Sequence, residues 1–312
     1  GLVAAASVAA YDMDRIRKHE FTRPDKENDR TVLADTLDAH TGPVFLTYRQ
    51  SARVDALVEQ IMADAPACDF VAPDGVSHSL WVVADLAIQT ELTAAVESLP
   101  RLYVADGHHR SAAASRVCAQ RRAAHPGFTG QEPFNRFLAV LFPDNQVRIL
   151  DYNRVVRDLN GYTSAQFLSA LEKNFLITRQ DAPCQPRCPH TFGLYLERQW
   201  YALELRPGRI TTEDPVARLD VQLLSTLVLE PLLNITDLRR DTRIDFVGGI
   251  RGMTGLMERV HADGMAAAFS LYPTSLRELM AVADAGRVMP PKSTWFEPKL
   301  RDGLVIQTLS SR

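Results

Sequence analysis

The chain has 312 residues, of which 46% are hydrophobic and 23% charged, and its formal net charge is −3. This length predicts two domains, or one domain with a large insertion. The charge argues against a nucleic-acid partner bound by phosphate neutralisation, and no apolar run approaches the roughly 20 residues that span a bilayer. Four cysteines at this length make no disulfide framework. We therefore expect a globular protein of the reducing cytoplasm, with neither a membrane nor a nucleic acid as partner.

The apolar periodicity and the turn residues predict alternating strands and helices along the chain. In chain order, the predicted strands are 3–8, 44–48, 70–72, 78–84, 102–105, 137–142, 148–155, 191–196, 200–205, 246–252, 266–272 and 304–308. The predicted helices are 25–37, 52–65, 86–98, 111–124, 164–175, 219–233 and 275–285. This mixture predicts a mixed α+β fold. Because the character changes near Gly161, we expect one domain over residues 1–155 and a second α/β region over 156–312.

The most informative motif joins a predicted strand to a predicted helix. It reads Asp106, Gly107, His108, His109 and Arg110. Free backbone amides and the positive end of a helix dipole favour a bound anion at such a turn. Glycine lets the backbone approach a ligand, and histidine and arginine hold phosphate or move protons. The motif predicts a phosphate site, and the alternative is an ordinary turn with solvated histidines.

A second motif contains Lys292, Ser293 and Thr294 after two prolines. It is not a P-loop, because proline stands where the second glycine belongs and has no N–H to offer phosphate. The ammonium and hydroxyl groups nevertheless suit a phosphorylated ligand, and the alternative is a rigid surface loop. Arg251, in a glycine-rich turn, is a further candidate phosphate contact.

A third cluster places His19 and Glu20 beside a run of charged residues. Glu20 can act as a general base if it faces a substrate hydroxyl in a partly desolvated cleft, whereas a solvated charged face is the alternative. Cys184, Cys188 and His190 have spacing that invites a zinc interpretation, but a second ligand pair is missing. We assign no metal site from the sequence.

Five motifs recur in the order found in a known family of bacterial proteins, the domain-of-unknown-function family 1015, which this chain resembles over nearly its whole length. The motifs are residues 17–30, Gly42 to Arg49, Ala105 to Arg110, Asp245 to Gly249, and Met289 to Leu300. The resemblance implies a ParB/sulfiredoxin-like core, a fold that also includes kinases of free serine. Family members usually have further residues before this chain's first, so we expect a missing or separately cleaved N-terminal segment.

In those kinases an Asp-Gly-His turn holds the nucleotide phosphates and an upstream glutamate is the base. The resemblance therefore implies that Asp106 to Arg110 bind ATP or ADP with Mg²⁺, and that Glu20, by its upstream position, takes the substrate proton. The predicted function is phosphorylation of a small hydroxyl metabolite, with free serine as first candidate. The alternatives are a non-catalytic sensor of a nucleotide or phospho-metabolite, and a non-kinase enzyme using His108 or His109 as acid and base. We expect Glu20, the Asp106 turn and the Lys292 loop to share one pocket.

Overall fold

The computed structural model describes residues 1–125 and 127–310. Helices α1 to α9 span Val8–Asp12, Pro24–Leu37, Ala52–Met62, Leu86–Glu97, His108–Ala124, Ser164–Leu171, Asp220–Leu224, Gly252–Ala262 and Leu276–Asp284. Strands β1 to β8 span Leu2–Ser7, Ile16–Arg17, Ala39–His40, Val44–Tyr48, Cys68–Val71, Ser77–Leu80, Leu102–Asp106 and Arg136–Pro143. Strands β9 to β17 span Ile149–Leu150, Tyr152–Val156, Phe175–Gln180, Thr191–Leu196, Gln199–Leu205, Ile244–Gly248, Ala267–Leu271, Trp295–Phe296 and Gln307–Thr308. The predicted mixed α+β class is confirmed.

The chain forms two compact units, one of residues 1–147 and 298–312 and one of residues 148–297. This division differs from the predicted one in two respects. The border falls at residue 148, where the second unit begins, and the last residues return to the first unit. They return because β17 pairs with β3, which joins Gln307 to His40 and Thr308 to Ala39.

The first unit is built on a five-stranded sheet in the order β1-β8-β4-β7-β2. Strand β4 runs parallel to β8 and antiparallel to β7. Its five residues are all buried, and Leu46 and Val104 from adjacent strands are fully enclosed. Helix α5 packs on α2, because its small residues Ala113 and Ala114 let the two helices approach closely. The end of β7 and the start of α5 therefore lie on a rigid support.

The second unit is built on a six-stranded antiparallel sheet in the order β11-β13-β12-β15-β10-β14. The helix predicted over 219–233 is shorter, since α7 ends at Leu224 and residues 225–229 form a wider π turn. Ser225 accounts for part of this change, because its hydroxyl donates to the Val221 carbonyl at 3.0 Å. Side-chain bonding of this kind competes with regular helix bonding. Within the described part of the chain, no helix has both the length and the apolar character required to cross a bilayer.

His40 on β3 makes the stability of the first unit depend on pH. Burial, and to a smaller extent the positive charge of Arg121, lower the pKa of His40 to about 4. The unfolded chain binds this proton near pH 6.5, so stability is fully present above that pH and is lost as pH falls toward 4. The loss amounts to at most about 3 kcal/mol. Urea unfolding at pH 7 and pH 4.5 should show a smaller loss in His40→Gln than in the parent, and equal losses would contradict this origin.

Candidate functional site

The Asp106 turn presents backbone donors at the start of the longest helix of the first unit. Strand β7 ends at Asp106, Gly107 takes a left-handed φ of 96°, and α5 begins at His108, three residues before its predicted start. The Gly107 carbonyl accepts from the Arg110 and Ser111 amides at 2.9 and 3.0 Å. The backbone amides of His108 and His109 lie in the first turn of the helix, where no intrahelical carbonyl can accept from them. They are therefore available to a ligand at the positive end of the helix.

Two features of the structure require glycine at position 107. A φ of 96° is unfavourable for any residue with a Cβ atom. A Cβ atom there would also lie 3.0 Å from Nε of Arg110 and 3.4 Å from the Val44 Cα atom. The turn therefore lets Arg110 fold back over the helix start, within reach of an anion bound there.

Glu20 lies beside this turn, brought there from the preceding segment of chain. Its Oε2 atom is 3.9 Å from Nδ1 of His108. The imidazole of His108 is only 5% exposed, whereas the Glu20 side chain is 41% exposed. The Glu20 carboxylate thus lies against the buried ring, while the side chain itself remains partly exposed. His108, predicted to contact the nucleotide phosphates, has its ring against Glu20 and is placed to orient it.

His108 is held in a neutral form by its surroundings. Burial is the main cause that lowers the pKa of His108 well below its usual value, and the nearby charges of His19, His109 and Lys18 add to it. The backbone N–H of His19 approaches Nε2 of His108 at 3.5 Å. With Nε2 as acceptor, the ring carries its proton on Nδ1, on the side of Glu20.

His19 packs edge-on against His108, with ring centroids 4.4 Å apart and planes at 88°. It is 1% exposed, and burial lowers its pKa to about 4, against smaller opposing effects of the Val104 backbone and Asp106. Among the described residues, neither ring nitrogen of His19 makes a hydrogen bond of normal geometry, and the Val104 backbone affects the ring only weakly. Two neutral imidazoles and a carboxylate therefore meet at the start of α5.

His109 fixes the chain that leads away from Glu20. Its Nε2 atom accepts the backbone N–H of Arg23 at 3.0 Å. The segment between Glu20 and α2 is therefore tied to the first turn of α5. Of the groups on His109, the backbone amide and Nδ1 remain for the predicted phosphate contact.

Two residues near the C-terminus engage the same turn. Lys299 donates to Oδ2 of Asp106 at 3.1 Å, while Oδ1 of Asp106 accepts the Gly107 amide at 2.9 Å. Asp302 lies 3.5 Å from the Arg110 guanidinium. No role was predicted for Lys299 or Asp302, although Lys299 lies within one of the motifs on which the family resemblance rests. Both pairs are partly exposed, so each stabilises the fold by less than about 1 kcal/mol.

The cavities of the first unit differ in size and in charge. A small cavity of about 40 Å³ is lined in part by Arg30, Gly42, Arg110 and Asp302. It is far smaller than the roughly 300–1,000 Å³ of ligand pockets, so a nucleotide would lie over the turn and not inside it. A larger cavity of about 730 Å³ lies near the other end of α5, where Arg121 is already paired at 2.9 Å with Asp35.

The Lys292 loop and Arg251 belong to the second unit. Lys292 has a left-handed φ of 61°, its carbonyl accepts from the buried Arg154 at 3.0 Å, and its ammonium lies 5.6 Å from the Tyr152 ring centroid. The Ser293 hydroxyl donates to the Pro290 carbonyl at 2.6 Å, so it closes the loop on itself. Thr294 is half-buried. The expectation that this loop shares the pocket of the Asp106 turn stays a prediction.

Arg251 ends a short 3₁₀ turn at residues 249–251 and is exposed. The glycines before it serve packing in the second unit. A Cβ atom at position 248 would lie 2.8 Å from the Trp295 ring, and one at position 249 would lie 2.7 Å from the Asp151 carbonyl oxygen. Two motifs far apart in the sequence thus pack together at these glycines. The role of Arg251 in binding phosphate stays a prediction.

Gly249→Ala is expected to destabilise the second unit by about 1–3 kcal/mol, because the backbone of Asp151 cannot give way as a flexible side chain would. Chemical denaturation measures the loss. Gly127→Ala is the matched control, since a Cβ atom there meets nothing within 4 Å. Equal stability of the two variants would contradict this explanation of the glycine.

These features define a mixed α+β protein with a glycine turn at the start of a helix, beside a buried histidine pair and a carboxylate. The chain belongs to DUF1015, a family of proteins of unknown function, whose model matches residues 1–222. The motifs at Asp245 and Lys292 lie beyond the matched residues. No curated protein matches the chain significantly.

Several solved structures are similar to the chain at low identity. A mutant free serine kinase with AMP has 12% identity and a TM-score of 0.46, and covers 96% of this chain and 90% of its own. Another mutant with ADP has 13% identity and a TM-score of 0.44 over the same shares. Truncated SbnI from Staphylococcus aureus has 10% identity and a TM-score of 0.47, with 96% and 85% covered. At these values the similarities carry no conclusion about function.

Proposed function

We propose that the chain is a nucleotide-dependent kinase of a small hydroxyl metabolite, with free serine as the first candidate. One observation carries the proposal: Glu20 lies beside the start of α5, with its Oε2 atom 3.9 Å from Nδ1 of His108, and its side chain is 41% exposed. Phosphoryl transfer needs mainly positioned charges, an anion site and a group that accepts the hydroxyl proton. The Asp106 turn and Glu20 provide these elements within one unit.

The phosphates would lie over the first turn of α5. The amides of His108 and His109 donate to phosphate oxygens, and the guanidinium of Arg110 offsets their charge. Asp302 is the present partner of Arg110 at 3.5 Å, a long and partly exposed pair that a phosphate can replace. Gly107 allows this close approach because it has no side chain.

The substrate hydroxyl would face Glu20. The Glu20 carboxylate accepts the hydroxyl proton as the substrate oxygen attacks the terminal phosphoryl group. The bond from that group to the nucleotide breaks, which releases ADP from ATP or AMP from ADP. His108 is a positioning residue, since its ring is buried and faces Glu20 from behind. The His108 ring is buried, and Nε2 of His109 already accepts the Arg23 backbone N–H. Both features favour the kinase over an enzyme that uses either imidazole as acid and base.

The residues present fit Mg²⁺ only as an ion carried by the nucleotide. Magnesium keeps several waters and is usually bound by substrate phosphates with one or two carboxylates. Both oxygens of Asp106 are engaged, one by the Gly107 amide and one by Lys299. Asp106 would therefore reach the ion through water, and bound Mg²⁺ would neutralise phosphate charge.

A thermal-shift screen tests ligand binding directly. ATP, ADP, AMP, serine and phosphoserine are each added with and without Mg²⁺, because a ligand that binds the native state raises the apparent stability. The proposal expects a shift with a nucleotide, larger with Mg²⁺, and a further shift with serine or another hydroxyl compound. The absence of any nucleotide shift would overturn it. A shift with phosphoserine alone would indicate a sensor of phosphorylated metabolites.

A further inference from the structure

Three side chains with metal-binding atoms converge in the first unit. His19, Glu20 and His108 each offer one ligand atom, and these atoms all lie within 4.8 Å of one another. His19 and Glu20 are adjacent in the chain, and His108 comes from the start of α5. The fold therefore gathers two imidazoles and one carboxylate from two separate segments.

His19 gives an independent indication that something binds here. Its side chain is 1% exposed, yet neither ring nitrogen makes a hydrogen bond of normal geometry within the described residues, and the Val104 backbone acts on the ring only weakly. Buried polar groups are nearly always hydrogen-bonded, and an exception calls for a specific explanation, such as an ion. The kinase mechanism makes no use of His19. A metal ion that accepts the lone pair of a ring nitrogen would compensate for the cost of burying that nitrogen without a hydrogen bond.

We propose that His19, Glu20 and His108 together bind one divalent transition-metal ion. Two histidines and a glutamate form the ligand set of many catalytic zinc sites, and two histidines with a carboxylate also hold non-haem iron. Imidazole suits zinc, iron, cobalt and nickel, whereas magnesium and calcium prefer oxygen ligands. The proposed ion is therefore distinct from any Mg²⁺ that accompanies a nucleotide.

The geometry requires only a small contraction. Ligands at the usual 2.0–2.2 Å from zinc can be separated by at most about 4.4 Å. The three ligand atoms already lie within 4.8 Å of one another, and Nδ1 of His108 is 3.9 Å from Oε2 of Glu20. Small movements of the partly exposed Glu20 side chain and of the two rings bring the atoms to bonding distance. Water or a phosphate oxygen completes the coordination from the exposed side of the cluster.

Several charges surround the proposed ion. The negative charges of Glu20 and Asp106 favour it, while Lys18 and the positive end of α5 oppose it. The energy of direct bonds to three ligands exceeds the repulsion of the ion by the partial positive charge at the helix end. Coordination through Nδ1 of His108 moves its ring proton to Nε2, so the ion must also compensate for the lost 3.5 Å contact from the His19 amide.

This inference does not rest on the proposed kinase activity. A carboxylate has two oxygens, and Glu20 can bind an ion through one while the other accepts a proton. The two roles are separable at His19, which belongs to the metal site alone. Loss of metal binding with nucleotide binding intact contradicts only the metal site, and the reverse result contradicts only the kinase.

Metal titration of the chelator-treated full chain tests the site. Zn²⁺ binding is followed by calorimetry, and Co²⁺ binding by its visible absorption. We expect one ion per chain in the parent, with no sulfur-to-cobalt charge-transfer band, since no cysteine belongs to the site. His19→Ala is expected to weaken binding by at least about 100-fold, the upper end of the 10- to 100-fold range typical of outer-shell changes. Glu20→Gln, at a half-exposed position where folding is tolerant, should weaken it similarly.

His125→Ala is the matched control, because it removes an exposed histidine about 25 Å away along the same helix. It should bind both ions as the parent does. Failure of the parent to bind either ion would overturn the proposal. Binding that is unchanged in both His19→Ala and Glu20→Gln would overturn it as well, as would a cobalt spectrum showing thiolate ligands.

Discussion

Glu20→Gln is expected to reduce phosphoryl transfer roughly 10²- to 10⁴-fold, the usual contribution of a positioned acid or base. The amide keeps the shape of the side chain and its contact side toward His108, but it cannot accept the hydroxyl proton. Nucleotide affinity should change little, because the phosphates lie on the amides of the α5 turn. Steady-state kinetics with radiolabelled nucleotide, together with calorimetric affinity, measures both quantities.

Glu91→Gln is the control for this variant, since Glu91 is an exposed glutamate on α4. It should retain the parent's turnover. His108→Ala should lower turnover with less effect on nucleotide affinity, because its buried ring acts through Glu20. Full activity in Glu20→Gln would contradict the assignment of the base and direct attention to Asp106.

Arg110→Ala is expected to weaken nucleotide binding roughly 10- to 150-fold, since hydrogen bonds to charged groups contribute about 1.5–3 kcal/mol. The loss should diminish at high salt, where the attraction of an exposed charge for phosphate is screened. Calorimetric titration of ATP or ADP at two ionic strengths measures the effect. Turnover at saturating nucleotide should change less than affinity.

Arg116→Ala provides the comparison on the same helix. Arg116 lies six residues beyond Arg110 and pairs with Glu27 at 3.3 Å, so its loss removes a charge without altering the turn. Nucleotide affinity should remain within about twofold of the parent, because this charge is distant from the turn and screened by its partner. Equal losses in the two variants would contradict a specific contact by Arg110.

Local sequence patterns predicted most elements of the fold. Strand β4 was predicted over 44–48, as found, because a short apolar run is bounded by Gly42-Pro43. Helix α8 was missed, because Gly252 and Gly255 lower its helix propensity. Its stability comes from packing, since Leu256 and Val260 are buried, and a single sequence does not reveal that burial.

The candidate site was only partly predictable, because several of its contacts join residues that are far apart in the sequence. The Asp106 turn is contiguous, so its residue types alone indicate an anion site. Lys299 reaches Asp106 across 193 residues, and His108 meets His19 across 89. Such pairs depend on the tertiary arrangement of the first unit. His19 looked like part of a solvated charged segment, and only its 1% exposure reveals a buried imidazole.

Formation of phosphoserine from free serine by the full chain tests the central claim most directly. The reaction is followed by mass spectrometry with ATP or ADP as donor, with and without Mg²⁺, in the parent and in Glu20→Gln. The account predicts a nucleotide- and Mg²⁺-dependent product in the parent that falls by at least about 100-fold in the variant. Clear nucleotide binding without phosphorylation of serine or of other small hydroxyl compounds would contradict the kinase and identify a sensor.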